Sequence, residues 1–205
     1  MYVKICFGYP ILLVAKLLSL LPWFAVFEFL IHEPFFHTYR LMRVIYWFTR
    51  PERIGFYFFL RATWRIFVPI MKLIVGIVFK WIFVGKFKPG KRDPFQFWLM
   101  SSLLPGSEVA HVMGLFGRHY DTTSFVFRLL GAKIGKRVYW PGSGLDIVAY
   151  DLLEIGDDVV FGSRTVVMPC DANFSAPVRI GNSTNIADRC VLLPGCTVED
   201  WTVMG

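Results

Sequence analysis

The chain has 205 residues, 55% of them hydrophobic and 18% aromatic, with a formal charge of +7. Residues 131–205 hold 6 Lys/Arg against 9 Asp/Glu, so the positive charge belongs to residues 1–130, with 16 against 6. A basic part this apolar excludes a nucleic-acid binder and sets its charge against lipid head groups, while the mildly acidic second part reads as a separate, soluble module.

Pro10 to Ile31 is an apolar run of 22 residues, interrupted by Lys16, Ser19 and Glu28. At about 1.5 Å per residue it predicts a helix of roughly 33 Å, long enough to cross a bilayer. It is too long for the apolar core of a signal peptide, and no small-x-small cleavage site follows. Residues 36–65 do not read as a span. Arg40, Arg43 and Arg50 fall on one arc of a helix and Leu41, Val44, Ile45 and Phe48 on the other, with Pro51 as the end. Such a helix suits the plane of the head groups, and Phe56 to Phe59 adds an aromatic belt. His32 and His37 are expected at the same boundary.

Ile66 to Val84 is a second predicted span, with Lys72 and Lys80 inside it. A lysine at mid-membrane costs about 2.5–3.5 kcal/mol unless it snorkels or is paired. Lys16 and Glu28 are therefore expected to face other helices of a bundle. Positive charge lies on both sides of this run, so the positive-inside rule does not orient it. A hairpin with both hydrophilic ends in the cytosol is the topology expected.

Lys86 to Asp93, with Pro89-Gly90, predicts a linker, and Pro94 to Leu104 a short amphipathic helix stopped by Pro105-Gly106. Ser107 is the predicted cap of a helix reaching Phe116. Thr122 or Thr123 is the predicted cap of another, which stops at Gly131 and covers the open end of the module that follows. The first strand of that module is expected over Ile134 to Tyr139.

From there the chain reads in sixes. Ile155, Phe161 and Val167, then Ile180, Ile186, Leu192, Val198 and Met204, are large and apolar. Val159 and Thr165, then Thr184, Cys190, Cys196 and Thr202, follow four places after the large residue. A helix has no use for a period of six, whereas a left-handed parallel β-helix builds one short side of a triangular coil from each hexapeptide. Trp140 to Asp151, with Pro141-Gly142-Ser143-Gly144, and Pro169 to Val178 interrupt the period and predict loops. Loops leaving such a coil commonly carry function. The chain stops two residues into a new hexapeptide, as expected of a fragment whose coils continue. Cys6, Cys170, Cys190 and Cys196 form no Cys-x-x-Cys pair, and two of them occupy the small position, so free packed thiols in a reducing compartment and no metal site are expected.

The fold expected is thus a membrane α-helical segment followed by an all-β left-handed parallel β-helix. Residues 1–93 form a membrane region with spans at 10–31 and 66–84, residues 94–130 a helical connector, and residues 131–205 the β-helix.

The run Gly131-Ala132-Lys133-Ile134-Gly135-Lys136-Arg137-Val138 resembles the entry to hexapeptide-repeat acyltransferases. His111 to Gly117, Tyr139 to Gly144 and Ile155 to Arg164 together resemble the C-terminal region of membrane-attached nonribosomal-peptide-synthetase-like proteins, the group that includes poly-lysine synthetase. The resemblance covers most of residues 66–205. It implies paired membrane helices alternating with soluble modules, downstream of adenylation and carrier domains in the same native chain. By analogy with the β-helix fold a homotrimer is expected, and the resemblance to acyltransferases implies an acyl-CoA or carrier-bound phosphopantetheine thioester as donor, with no bound cofactor.

Active hexapeptide acyltransferases use a histidine as general base on the acceptor amine or hydroxyl. Residues 131–205 contain no histidine, so the base candidates are His119 and His111. His119-Tyr120-Asp121 is the better group, because Asp121 or a neighbouring carboxylate is placed to fix the imidazole tautomer. A polar turn with Asp121 as helix cap, and a packed His111, are the structural alternatives. Asp146, Asp151, Glu154, Asp157 and Asp158 make an acidic patch that serves a metal, although no calcium-loop spacing is present, attracts an amine acceptor, or simply fills solvated turns. Gly142-Ser143-Gly144 lacks the spacing of a hydrolase nucleophile elbow. Two function classes follow. One is a membrane-attached acyl- or aminoacyltransferase with His119 as base and Asp121 behind it. The other is a non-catalytic module that anchors and oligomerises a synthetase.

Overall fold

The computed structural model describes residues 2–31, 51, 54–117, 119, 121–140 and 147–205. The expected arginine-rich helix at 36–50, His32, His37, Gly142-Ser143-Gly144 and Asp146 lie outside them.

A π-helical turn over Lys4–Gly8 leads into α1 (Tyr9–Ser19), and α2 (Leu21–Ile31) follows after a break at Leu20. Pro22 explains the break, since it has no N–H and its ring clashes with the carbonyl four residues back. The Leu20 N–H bonds to Leu17 O and Leu18 O, and Leu20 O accepts the N–H groups of Trp23 and Phe24. The next helix, α3 (Ile54–Phe79), runs on into a π-helical segment over Lys80–Val84. It starts at Ile54, well before the apolar run that begins at Ile66. Arg61 and Arg65 end that run in the sequence without ending the helix, because both side chains are exposed on its surface. Lys4–Glu28 and Ile54–Val84 are each long and apolar enough to cross a membrane, and α1 and α2 both pack on α3.

The strand β1 (Gly90–Lys91) comes next, then α4 (Pro94–Leu103), whose N-terminus is capped by the Asp93 carboxylate accepting from the Phe95 and Gln96 N–H groups. α5 (Gly106–Phe116) begins one residue before Ser107, with Pro105 at φ −58° and ψ 140° leading in. The proline ring already sets the turn, so Ser107 sits inside the helix and caps nothing. α6 (Asp121–Leu129) likewise starts at Asp121, which puts Thr122 and Thr123 in its first turn. Its end is a left-handed glycine, Gly131 at φ +105°, with Ala132 N–H returning to Phe127 O.

Ten strands of two or three residues follow: β2 (Lys133–Ile134), β3 (Leu153–Ile155), β4 (Val160–Phe161), β5 (Val166–Val167), β6 (Phe174–Ser175), β7 (Val178–Ile180), β8 (Asn185–Ile186), β9 (Val191–Leu192), β10 (Thr197–Val198) and β11 (Val203–Met204). Nine of them form three parallel sheets, in the orders β10-β7-β3-β2, β11-β8-β4 and β5-β9. Ile155 faces Ile180, and Ile180 faces Val198, so the chain returns to one sheet after 25 residues and then after 18. Phe161, Ile186 and Met204 repeat the pattern in the second sheet, and Val167 and Leu192 in the third. Eighteen residues are three hexapeptides; the longer return contains the excursion after Val167.

The large positions from Ile155 to Val198 are all buried. Each such side chain contributes about 1.5–3 kcal/mol by leaving water. Val159, Thr165 and Thr184 are buried beside them, and Cys190 and Cys196 pack as free thiols. The glycine after the large residue answers to stacking. A Cβ on Gly156 would lie 2.6 Å from Asn182 Oδ1 and 2.9 Å from the Gly181 carbonyl carbon, on the neighbouring strand-to-strand turn.

Long-range contacts tie the second apolar helix and the linker to the residues that follow. Lys80 and Asp151 form an ion pair at 2.9 Å whose side chains are 0% and 7% exposed. Asp151 also accepts the Phe87 N–H at 3.1 Å, and the Trp81 indole N–H reaches Leu129 O at 2.8 Å. The excursion 169–178 clasps the linker, because β6 pairs antiparallel with β1. Arg92 holds this clasp by donating to Asp171 O at 2.7 Å, with its guanidinium 3.5 Å above the Phe97 ring. One apolar core consequently runs from Ala15 to Val198.

Candidate functional site

Trp140 organises the corner where α6 meets β4 of the second sheet. Its ring is buried, stacks on Phe161 at 5.3 Å and meets Phe127 edge-on at 5.0 Å. The indole N–H donates to Ser124 Oγ at 2.8 Å, so a buried polar group is satisfied inside the core. With the side chain anchored, the Trp140 backbone faces His119. Trp140 N–H donates to His119 O at 3.2 Å, and Trp140 O lies 3.0 Å from His119 Nδ1. A carbonyl only accepts, so this contact puts the proton on Nδ1 and leaves Nε2 as the basic nitrogen. The imidazole stacks on Tyr139 with centroids 5.3 Å apart and planes 11° apart.

Asp121 is exposed at the first position of α6, where a carboxylate is favoured by the helix dipole. It also adds to the field that raises the Arg137 guanidinium, whose principal partner is the Asp158 carboxylate. The tautomer contact expected of Asp121 is thus supplied by a backbone carbonyl, which no side-chain pattern announces. Tyr139 and Trp140 were legible as part of a motif, but not as the floor and the anchor of this histidine.

His111 is exposed on α5 and opens into a different place, a groove of about 860 Å³ between α2, α3 and α5. Trp23, Tyr57, Arg61, Trp64, Arg65 and Glu108 line it with His111. His119 does not. The two histidine candidates therefore belong to separate surfaces.

The described carboxylates of the acidic patch all have partners. Asp151 is under Lys80. Glu154 bridges Lys133 at 2.8 Å and Arg179 at 2.7 Å, and those two cations hold its carboxyl below the usual range. Asp158 is held low by Arg137, whose guanidinium donates twice at 2.6 Å. Asp157 Oδ1 accepts the Lys136 N–H, Asn182 Oδ1 accepts the Asp157 N–H, and Asp200 Oδ1 accepts the Asn182 N–H. This is a column of turn side chains that ties successive circuits together. Asp188 repeats the idea on another corner, accepting from Arg164 and Ser163, and the Arg164 guanidinium brings it down to about 2. Among the described residues, no three His, Cys, Asp or Glu side chains are grouped to hold a metal ion.

Comparison with known proteins places this chain beside one large relative. A delta-poly-L-ornithine synthetase of Acinetobacter baumannii (strain AB307-0294) is 28% identical to it over 142 residues, which is 65% of this chain and 10% of the relative. No family model and no solved structure matches. The chain is distantly related to a poly-ornithine synthetase and corresponds to about a tenth of that protein's length.

Proposed function

We propose that this chain is a membrane-attached, hexapeptide-repeat acyltransferase-like module of a nonribosomal-peptide-synthetase-like protein. It transfers an acyl or aminoacyl group from a thioester donor to an amine or hydroxyl. The observation that carries this reading is the His119 imidazole held with Nε2 as its basic nitrogen by the Trp140 carbonyl. In the reaction, the acceptor nitrogen attacks the thioester carbonyl and gives its proton to Nε2. The C–N bond forms, the C–S bond breaks, and the leaving thiolate takes that proton back. The name of the distant relative supports an amine acceptor, because a poly-ornithine is built by joining aminoacyl carbonyls to amines.

Residues 131–205 are read as a left-handed parallel β-helix, supported by the 18-residue return and the three short parallel sheets. Its flat faces form a homotrimer. Residues 1–93 are integral to the membrane, residues 94–130 connect, and the β-helix lies in the cytosol. Adenylation and carrier domains belong to the same native chain and present the donor as a phosphopantetheine thioester; acyl-CoA is the stand-alone substitute.

The second reading, a non-catalytic anchoring and oligomerising module, is favoured by the lack of any histidine in residues 131–205. The two separate in the native synthetase carrying His119→Ala or His119→Gln. If His119 is the base, polymer formation falls by about 10²-fold or more while the carrier still loads its aminoacyl thioester. Polymer made at the unaltered rate rules out the base and leaves the anchoring role.

A further inference from the structure

We propose that the groove between α2, α3 and α5 is a docking site for the phosphate of an anionic phospholipid. Arg61 and Arg65 stand one turn apart on α3 and both line this groove. Neither guanidinium has a carboxylate partner among the described residues. The one carboxylate in the groove wall, Glu108, is committed to Lys72 at 2.5 Å. Side chains at i and i+4 are neighbours on a helix surface, and the guanidinium fork matches the oxygens of a phosphate.

The walls select a lipid over a free anion. Trp23, Tyr57 and Trp64 bring amphipathic rings of the kind that settle at head-group depth, and Trp23 meets Trp64 edge-on at 6.2 Å. Ile66 and Phe67, next along α3 from Arg65, are exposed and apolar, so acyl chains have a surface beside the phosphate. The groove volume of about 860 Å³ fits a glycerophosphate head group. Further along α3 and its π-helical end, Lys72 and Lys80 are each paired with a carboxylate, which leaves Arg61 and Arg65 as the cations of this helix without one among the described residues. The inference rests on the reading that the chain lies in a membrane.

The test uses the full chain purified in detergent and exposed to equal phosphatidylglycerol and phosphatidylcholine, with retained lipid counted by native mass spectrometry. Wild type is expected to retain phosphatidylglycerol over phosphatidylcholine by roughly tenfold, and R61Q/R65Q to lose the preference. R61K/R65K, which keeps the charge and loses the forks, is expected in between. K88Q/K91Q, which removes the same charge elsewhere, is expected to match wild type, and circular dichroism confirms helix content in each. No preference in wild type, or equal loss in K88Q/K91Q, overturns the site. Displacement of the lipid by inorganic phosphate or coenzyme A overturns the assignment to a lipid. Incorporation into nanodiscs is scored separately. A chain that enters nanodiscs without head-group preference defeats this site alone, and one that does not enter defeats the membrane reading.

Discussion

Lys80 and Lys72 are the residues at which the membrane-like run looks most expensive, and each has a carboxylate within 3 Å, Asp151 and Glu108. A buried pair of this kind is weak evidence for stability, but breaking it is not neutral. Lys80→Met strands a buried carboxylate and is expected to destabilise by about 3–5 kcal/mol, while K80M/D151L returns part of that loss, the Phe87 N–H then lacking its acceptor. Chemical unfolding of the three proteins in detergent decides it, and equal losses in single and double variants would dismiss the pair. Exposed carboxylates on the circuits behave differently. Asp188 has a folded pKa of about 2 against 3.8, so its contribution is fully present above about pH 4 and disappears as pH falls through 2. Glu154 and Asp158 are shifted in the same direction by their Lys and Arg partners. Asp188→Asn should therefore lie below wild type at neutral pH, with the gap closing between about pH 4 and pH 2. A urea midpoint measured at both ends of that window checks the sign.

At the scale of elements, the short strands depend on glycine where circuits touch. A Cβ on Gly162 would stand 2.5 Å from the Ala187 carbonyl carbon and Asp188 Cα. Gly162→Ala is expected to lose roughly 1–3 kcal/mol through overpacking. Gly55, in the first turn of α3, has nothing within 4 Å of its would-be Cβ, and Gly55→Ala should gain up to about 1 kcal/mol from helix propensity. Opposite signs from one chemical change are the result to look for. The clasp between β1 and β6 depends on Asp171, whose carboxylate accepts the N–H groups of Asn173 and Phe174 at 2.7 Å each. Asp171→Ala should speed limited proteolysis in 86–93 and 169–176 with no change in helix content. Unchanged cleavage would mean that strand pairing alone shapes the excursion.

For the whole molecule, the helices and the strands share one core, so the two parts are expected to unfold together in spite of their opposite charge. The exposed apolar surface of Lys4–Glu28 and Ile54–Val84 is what a lipid phase would cover. Membranes containing this chain, washed in alkaline carbonate, should keep it in the pellet. Recovery in the supernatant would instead fit helices lying on the surface.

Much of this was legible in the chain itself, because the information was local and repeated. An apolar residue every sixth place is buried in whatever sheet forms, and Gly131 ends a helix through its own φ. The apolar stretches and their lengths are equally local, although Pro22 split one and the exposed Arg61 and Arg65 hid the start of the other. What only the tertiary structure decided are meetings across long separations. Lys80 finds Asp151 71 residues away, and a linker read as passive becomes a strand because a distant excursion folds over it. The Trp140 carbonyl reaches His119, and a backbone acceptor leaves no mark in a sequence. Hydrophobic period is a property of the segment, whereas the partner of a charge or a carbonyl is set by packing.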